Sequence, residues 1–375
     1  MSSTFSLGAG EALNSSGASS ALREVIDTSF QVLYGEPAGP IETAWRTCLA
    51  DSDCPSHYTA PEYFREPMLD GKRPFAVLSI VDESVTAVMT GLHYGNRVQS
   101  GLSTRPQIAF SRHVDRTVSM RNLVSGILQE AGSAKLIDLF VWSDMAELVD
   151  ARFRQRPYRG VVMLDLAPGS DALFRKFSQT RRNDIRRAIR SGVSVDLAES
   201  PAHVMAYYAV YVDWARRRRL QIIREEEFRE EFLTTRSNRQ LLLARYNGKV
   251  IAGLVLRFFP GGVVEYAARS FLQSALYLKP NDLLHWRAIE WACAEGLTKY
   301  NLGGTGLFLR KFGGEVVPTI RHRLDLSLFR RHAVSDWMGG RVDDARRFIP
   351  ERVEGLARAL RSHARRYRRG ARGSL

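Results

Sequence analysis

The segment Asn281–Gly314 (NDLLHWRAIEWACAEGLTKYNLGGTGLFLRKFGG) constrains the fold more than any other part of the chain. Leu283, Leu284, Trp286, Ala288, Ile289, Trp291 and Ala292 recur at spacings of three and four, the pattern of an amphipathic helix packed on a sheet. Asn281 is a good N-cap, and Gly296 stands where a C-terminal cap belongs. A short strand, Thr298–Leu302, then runs into a glycine-rich turn and an aromatic–basic stretch closing on Gly313–Gly314. A helix that opens just after Lys279-Pro280 also offers unpaired backbone N–H groups to an anion.

The same order of elements occurs earlier. Strands are expected at Ser29–Tyr34, Pro74–Val81, Val85–Tyr94 and Gln107–Phe110, with a helix opening at Pro40 and a shorter one near Pro61. A helix at Val118–Ala131 and a strand at Leu136–Val141 complete this first unit. In the second, Gln240–Tyr246 and Lys249–Phe259 flank Asn247-Gly248, a strong hairpin signal, and Gly262–Arg269 supplies the strand before the helix. Between them lie one basic helix over Asp171–Ser191, a helix over His203–Arg218 and an acidic helix over Glu225–Phe232. The fold class is α/β, a mixed sheet built from an internal duplication of elements rather than of residues.

With 375 residues the chain holds two ordinary domains. We expect a flexible leader over 1–28, units over 29–168 and 169–335, and a basic helical tail over 336–375. The net charge of +14 is concentrated: residues 341–375 carry eleven Arg against four acids, and Phe174–Arg190 holds seven basic residues against one Asp. Such segments suit nucleic acid, anionic lipid or a phosphorylated ligand, or are simply solvated faces. Cys48, Cys54 and Cys293 have no metal-ligand spacing, so no metal site is expected. No apolar run approaches a membrane span, and the N-terminus lacks a signal-peptide pattern. A cytoplasmic protein, peripheral at most to the inner membrane face, is expected.

The order helix, strand, Asn301-Leu302-Gly303, loop, then Phe308, Phe312 and Gly313 resembles the FemAB-like branch of the GNAT acyltransferase superfamily. That branch includes peptidoglycan bridge aminoacyltransferases and acetyltransferases of exopolysaccharide loci. The resemblance covers roughly residues 30–330 and implies tandem GNAT-like units. It also implies a splayed strand at Gly262–Arg269 holding an acyl donor, acetyl-CoA, with the donor's diphosphate at the helix start formed by Lys279, Asn281, Asp282 and Leu283. The family's motif lysine is here Leu309, with Arg310 and Lys311 adjacent; the Gly-rich acetyl-CoA signature is replaced by LYLKPNDL.

Glu265 stands alone in an apolar strand, the setting in which a carboxyl pKa rises toward that of a general base. Tyr266 faces the other way, and Arg269 shares the Glu265 face if no bulge intervenes. Asn301, Gly303, Gly304, Phe308, Arg310 and Lys311 are the remaining substrate-binding candidates. Catalysis is assigned to Glu265 and Tyr266. The leading expectation is acetyl transfer from acetyl-CoA to an amine on an amino sugar or other cell-envelope or exopolysaccharide precursor. The alternatives are an aminoacyl-tRNA-dependent transferase acting on a peptidoglycan precursor, and a catalytically degenerate binding protein whose basic segments dock on tRNA or an anionic membrane.

Overall fold

The computed structural model describes residues 3–6, 27–66, 71–233 and 238–327. The expected C-terminal helical tail and most of the expected leader lie outside them. In the first half, strands β1 (Ser3–Ser6), β2 (Thr28–Leu33), β3 (Lys72–Val81), β4 (Ser84–Tyr94), β5 (Arg97–Ser100), β6 (Ile108–Phe110) and β7 (Leu136–Trp142) accompany helices α1 (Pro40–Ala50) and α2 (Arg116–Ala131). Strand β8 (Arg154–Asp165) leads to α3 (Ser170–Lys176), α4 (Gln179–Arg190), β9 (Ser194–Leu197), α5 (Pro201–Arg218) and α6 (Glu225–Leu233). The second half then runs β10 (Arg239–Tyr246), β11 (Lys249–Phe258), β12 (Val263–Phe271), α7 (Pro280–Ala294), β13 (Lys299–Asn301), α8 (Leu307–Arg310) and β14 (Glu315–Asp325).

One mixed sheet joins these strands in the order β1-β2-β3-β4-β5-β7-β14-β8-β13-β12-β11-β10-β9, with β6 on β4. Each half contains one parallel pair bridged by a helix. Arg97–Ser100 pairs with Leu136–Leu139 across α2, and Val263–Glu265 pairs with Lys299–Asn301 across α7. That repeated strand–helix–strand crossover is the duplication read from the element order, and it makes the chain a mixed α/β protein with two like halves. Separate cores form on α2 (Met120, Leu123, Ile127) and on α7 (Leu284, Ala288, Ile289).

Several expectations change in detail. The basic helix over Asp171–Ser191 is two helices, α3 and α4, because Phe177 leaves the helical region and Ser178 caps α4 by accepting from the Arg181 N–H. Asn281 is not the N-cap of α7: Pro280 takes the first helical position that proline favours, and Lys279 precedes it in the left-handed region at φ 59°. Gly296, at φ 68°, occupies the C-terminal position expected of it. Ser3–Ser6, within the expected leader, adds an edge strand to β2. No described helix is long and apolar enough to cross a membrane.

Candidate functional site

The parallel pairing of β12 with β13 ends at Glu265 and Asn301. Beyond it β12 continues to Phe271, paired only with β11, so its other edge opens toward the Gly303–Gly304 turn. The β11–β12 register shifts between Val255, opposite Ala268, and Leu256, opposite Tyr266, which leaves Ala267 as the extra residue of a bulge. Gly303 has φ 74°, and a Cβ there would lie 2.8 Å from the Tyr266 ring, so glycine alone fits where the strands part.

The bulge corrects the expected pairing of Glu265 with Arg269. One inserted residue reverses the alternation, and Arg269 falls on the Tyr266 face, its guanidinium 5.9 Å from that ring. Glu265 points to the opposite face, where the first half meets it. Arg105 Nε lies 3.7 Å from Glu265 Oε1, and the Arg105 guanidinium stacks 3.8 Å from the Tyr58 ring centre. Asn301 Nδ2 donates to Thr104 O at 3.0 Å and to Glu265 Oε1 at 3.5 Å, while its Oδ1 accepts from the Gly303 N–H at 2.8 Å. Glu265 is almost fully buried, and its Oε2 has no hydrogen-bond partner. Burial pushes its pKa up to about 7, against the opposing pull of Arg105 and of the Asn301 hydrogen bond.

Close by, Glu66 accepts from Arg257 Nε at 2.8 Å and Arg239 at 3.0 Å and shares a proton position with His57 Nε2 at 2.6 Å. Burial works to raise the Glu66 pKa, but His57 and the two guanidiniums hold it well below the carboxylate range. Glu66 is therefore a fixed anion, and Glu265 is the carboxyl free to titrate.

On the other face, Tyr266, His285, Phe308, Phe312 and Tyr300 form an aromatic cluster. The His285 ring lies 5.4 Å from Tyr266, 5.7 Å from Phe308 and 5.4 Å from Phe312, and its Nδ1 is 3.2 Å from the Tyr300 hydroxyl. A cation does reach the Phe308–Phe312 motif despite Leu309, and it comes from α4. Arg181 lies 4.0 and 4.2 Å from the two ring centres, donates to Phe308 O at 2.5 Å and pairs with Asp282. Sequence reasoning missed Arg181 because it lies within a run of basic residues. The available signal was its spacing of four and seven from Ile185 and Ala188, the other buried residues of α4.

The remaining candidates divide. Leu283 is a core residue, and Asn281 and Asp282 are buried in the first turn of α7, where Asp282 supplies that helix end with the chain's own carboxylate. Lys279 Nζ lies 3.4 Å from Asp184. Gly304 O accepts from the Val162 N–H at 2.9 Å, tying the turn to β8. Arg310 and Lys311 are exposed, and Arg310 Nε donates to Thr305 O at 2.8 Å. A cleft of about 910 Å³ opens at the far end of these strands, lined by Asp53, Cys54, Asp144, Lys299 and Glu315 among others, and none of the predicted site residues lines it. Among the described residues no group of His, Cys, Asp or Glu could hold a metal ion.

Comparison with known proteins agrees with this architecture. Residues 175–313 match the family model described as the acetyltransferase (GNAT) domain. No curated protein matches the chain by sequence. Among solved structures, FemX superposes with a TM-score of 0.58 at 13% identity, over 77% of this chain and 97% of FemX. The C-terminal domain of a putative lysylphosphatidylglycerol synthetase from Agrobacterium fabrum gives 0.51 at 15% identity, over 68% and 85%. A tandem GNAT protein from the clavulanic acid biosynthesis pathway gives 0.50 at 10% identity, over 80% and 99%. The stretch 175–313 thus carries the match to the GNAT domain, and the tandem fold is the one shared with these solved structures.

Asn301 offers a direct test of the Glu265 pocket. Asn301→Asp removes the donor to Thr104 O and sets a second carboxylate beside Glu265. We predict that the pH at which activity is half-maximal rises by about one unit or more, with a several-fold loss at neutral pH. An unchanged pH–rate profile would show that Asn301 does not act on Glu265.

Proposed function

We propose that the chain is an N-acyltransferase that moves an acetyl group from acetyl-CoA to an amine on an amino sugar or cell-envelope or exopolysaccharide precursor. The observation that carries this reading is Glu265: a buried carboxyl titrating at about 7, at the point where β12 and β13 part and facing loops of the first half. The open edge of β12 suits an extended acyl-donor arm, which it would bind as a sheet binds an added strand. The acceptor amine then approaches from the side of Tyr58, Arg105 and Asn301. Glu265 takes the N–H proton as nitrogen attacks the thioester carbon, backbone N–H groups of β12 steady the oxyanion, and the C–S bond breaks to release the thiol. Tyr266, on the opposite face, lines the donor side. The protein would work in the cytoplasm or against the inner membrane face.

Incubating the purified chain with acetyl-CoA and a panel of amino sugars tests this reading by thiol release. The absence of both turnover and calorimetric CoA binding would remove it. A second reading, transfer from an aminoacyl-tRNA to a peptidoglycan precursor, is favoured by the exposed arginines Arg186, Arg187 and Arg190 on α4 and by Asp282 already sitting at the start of α7. Absence of salt-sensitive binding to charged tRNA counts against it. A catalytically degenerate binding protein is the least favoured, since Arg181 supplies the cation that Leu309 seemed to remove.

A further inference from the structure

Arg269 makes no ion pair among the described residues, and it is only half-buried at the edge where β12 opens. Its guanidinium lies 5.1 Å from the Phe308 ring centre and 6.0 Å from that of Phe271. Arg181 lies 4.0 Å from the same Phe308 ring, so two guanidiniums share one aromatic ring, and Asp282 pairs with Arg181 alone of the two. Two buried polar atoms in this cluster have no hydrogen-bond partner: Arg181 Nε, on a residue 1% exposed, and His285 Nε2, on a residue with no exposure at all. Burial first, and then the two arginines, press the His285 pKa well down, so the imidazole is neutral and adds no anion or cation of its own.

An aromatic enclosure with surplus positive charge and orphaned polar atoms is completed by an anion. We propose that Arg269 is a phosphate-binding residue of the donor face, its planar fork taking two oxygens of a phosphate on the donor while Arg181 stands behind as a second, buried charge. The inference rests on reading the open edge of β12 as the donor side. Four residues of strand separate Glu265 from Arg269, roughly 10 Å or more along β12, and the arginine side chain extends further, which places the guanidinium away from the reacting carbonyl and toward the phosphate-bearing end of the donor. The first turn of α7, where a donor phosphate would otherwise be expected, already holds Asp282. Both a CoA diphosphate and the terminal phosphodiester of a charged RNA carry this group.

Calorimetric titration of the full chain with CoA, with pantetheine and with a short RNA stem ending in CCA separates the sources. Arg269→Gln is expected to weaken whichever phosphate-bearing ligand binds by about tenfold or more, with Arg269→Lys recovering part of the loss and pantetheine binding unchanged. Tight CoA binding without RNA binding names the diphosphate; the reverse names the phosphodiester. Equal affinities for wild type and Arg269→Gln, or no binding of either phosphate-bearing ligand, overturns the proposal. Turnover is scored separately: a wild type that binds phosphate through Arg269 but transfers no acyl group keeps this site and removes the transferase reading.

Discussion

Glu265→Gln is expected to lower kcat/KM for acyl transfer by about 10²–10⁴-fold and, at alkaline pH, to make the protein more stable than wild type. The kinetic half follows from geometry. Glu265 is the carboxyl that titrates in the pocket shared by Arg105, Asn301 and Tyr58, and an amide of the same shape cannot accept a proton. The rate of the wild type is expected to rise with pH through about 7, where the base loses its proton. The stability half follows from linkage. Burial raises the folded-state pKa from the ordinary carboxylate value of 4.5 to about 7. Between those values the folded chain keeps a proton that the unfolded chain releases, so stability falls as pH rises through the window. Glutamine never charges and escapes that loss. Urea midpoints of the two proteins should coincide near the bottom of the window and diverge at pH 8 with the variant higher. Full turnover by Glu265→Gln, or a rate profile that titrates near 4.5, would reject Glu265 as the base.

How much of this site could be read from the chain depends on what each residue needs to become visible. Glu265 and Asn301 were legible because a polar residue inside an apolar strand, and an Asn before a glycine turn, stand out locally. The hairpin at Asn247-Gly248 and the helix over Leu283–Ala292 were legible for the same reason. Ala267 was not: the run Ala267-Ala268-Arg269 has no local sign of a bulge, and the bulge exists only in the register against Val255 and Leu256. One unmarked residue was enough to move Arg269 to the other face. Strands β8 and β14 were missed because each is charged and interrupted by proline, and each is specified by the other. Gly160 faces Val317 O so closely that no side chain fits, and Thr319 pairs with Tyr158. Arg105 was missed because it reaches Glu265 from a loop that only the tertiary fold brings there.

The largest expected effect on stability lies away from Glu265, at Asp138 on β7. This residue has no exposure, and its carboxylate accepts from Arg97 Nε at 2.9 Å and from Arg323 Nε at 2.6 Å and Nη2 at 2.8 Å, with Arg321 Nε at 3.8 Å. Burial works to raise the Asp138 pKa, yet Arg323 and Arg97 hold it below the ordinary carboxylate value. Asp138→Asn takes away the one charge these guanidiniums share, which in a buried network costs about 3–5 kcal/mol. Because the folded pKa is depressed, the stabilisation is complete above the unfolded carboxylate value and is lost as pH falls through the folded one. The gap between variant and wild type should therefore be full at pH 7 and close only in acid. The effect should also spread to the base pocket. Arg321 and Arg323 belong to β14, whose Thr319 hydroxyl donates to Ser103 O at 2.7 Å, next to Thr104 and Arg105. Loosening β14 frees the loop that faces Glu265, so Asp138→Asn should show a lowered urea midpoint together with a shifted pH–rate profile. A lowered midpoint with an unmoved profile would mean that β14 supports the sheet but does not position the loop.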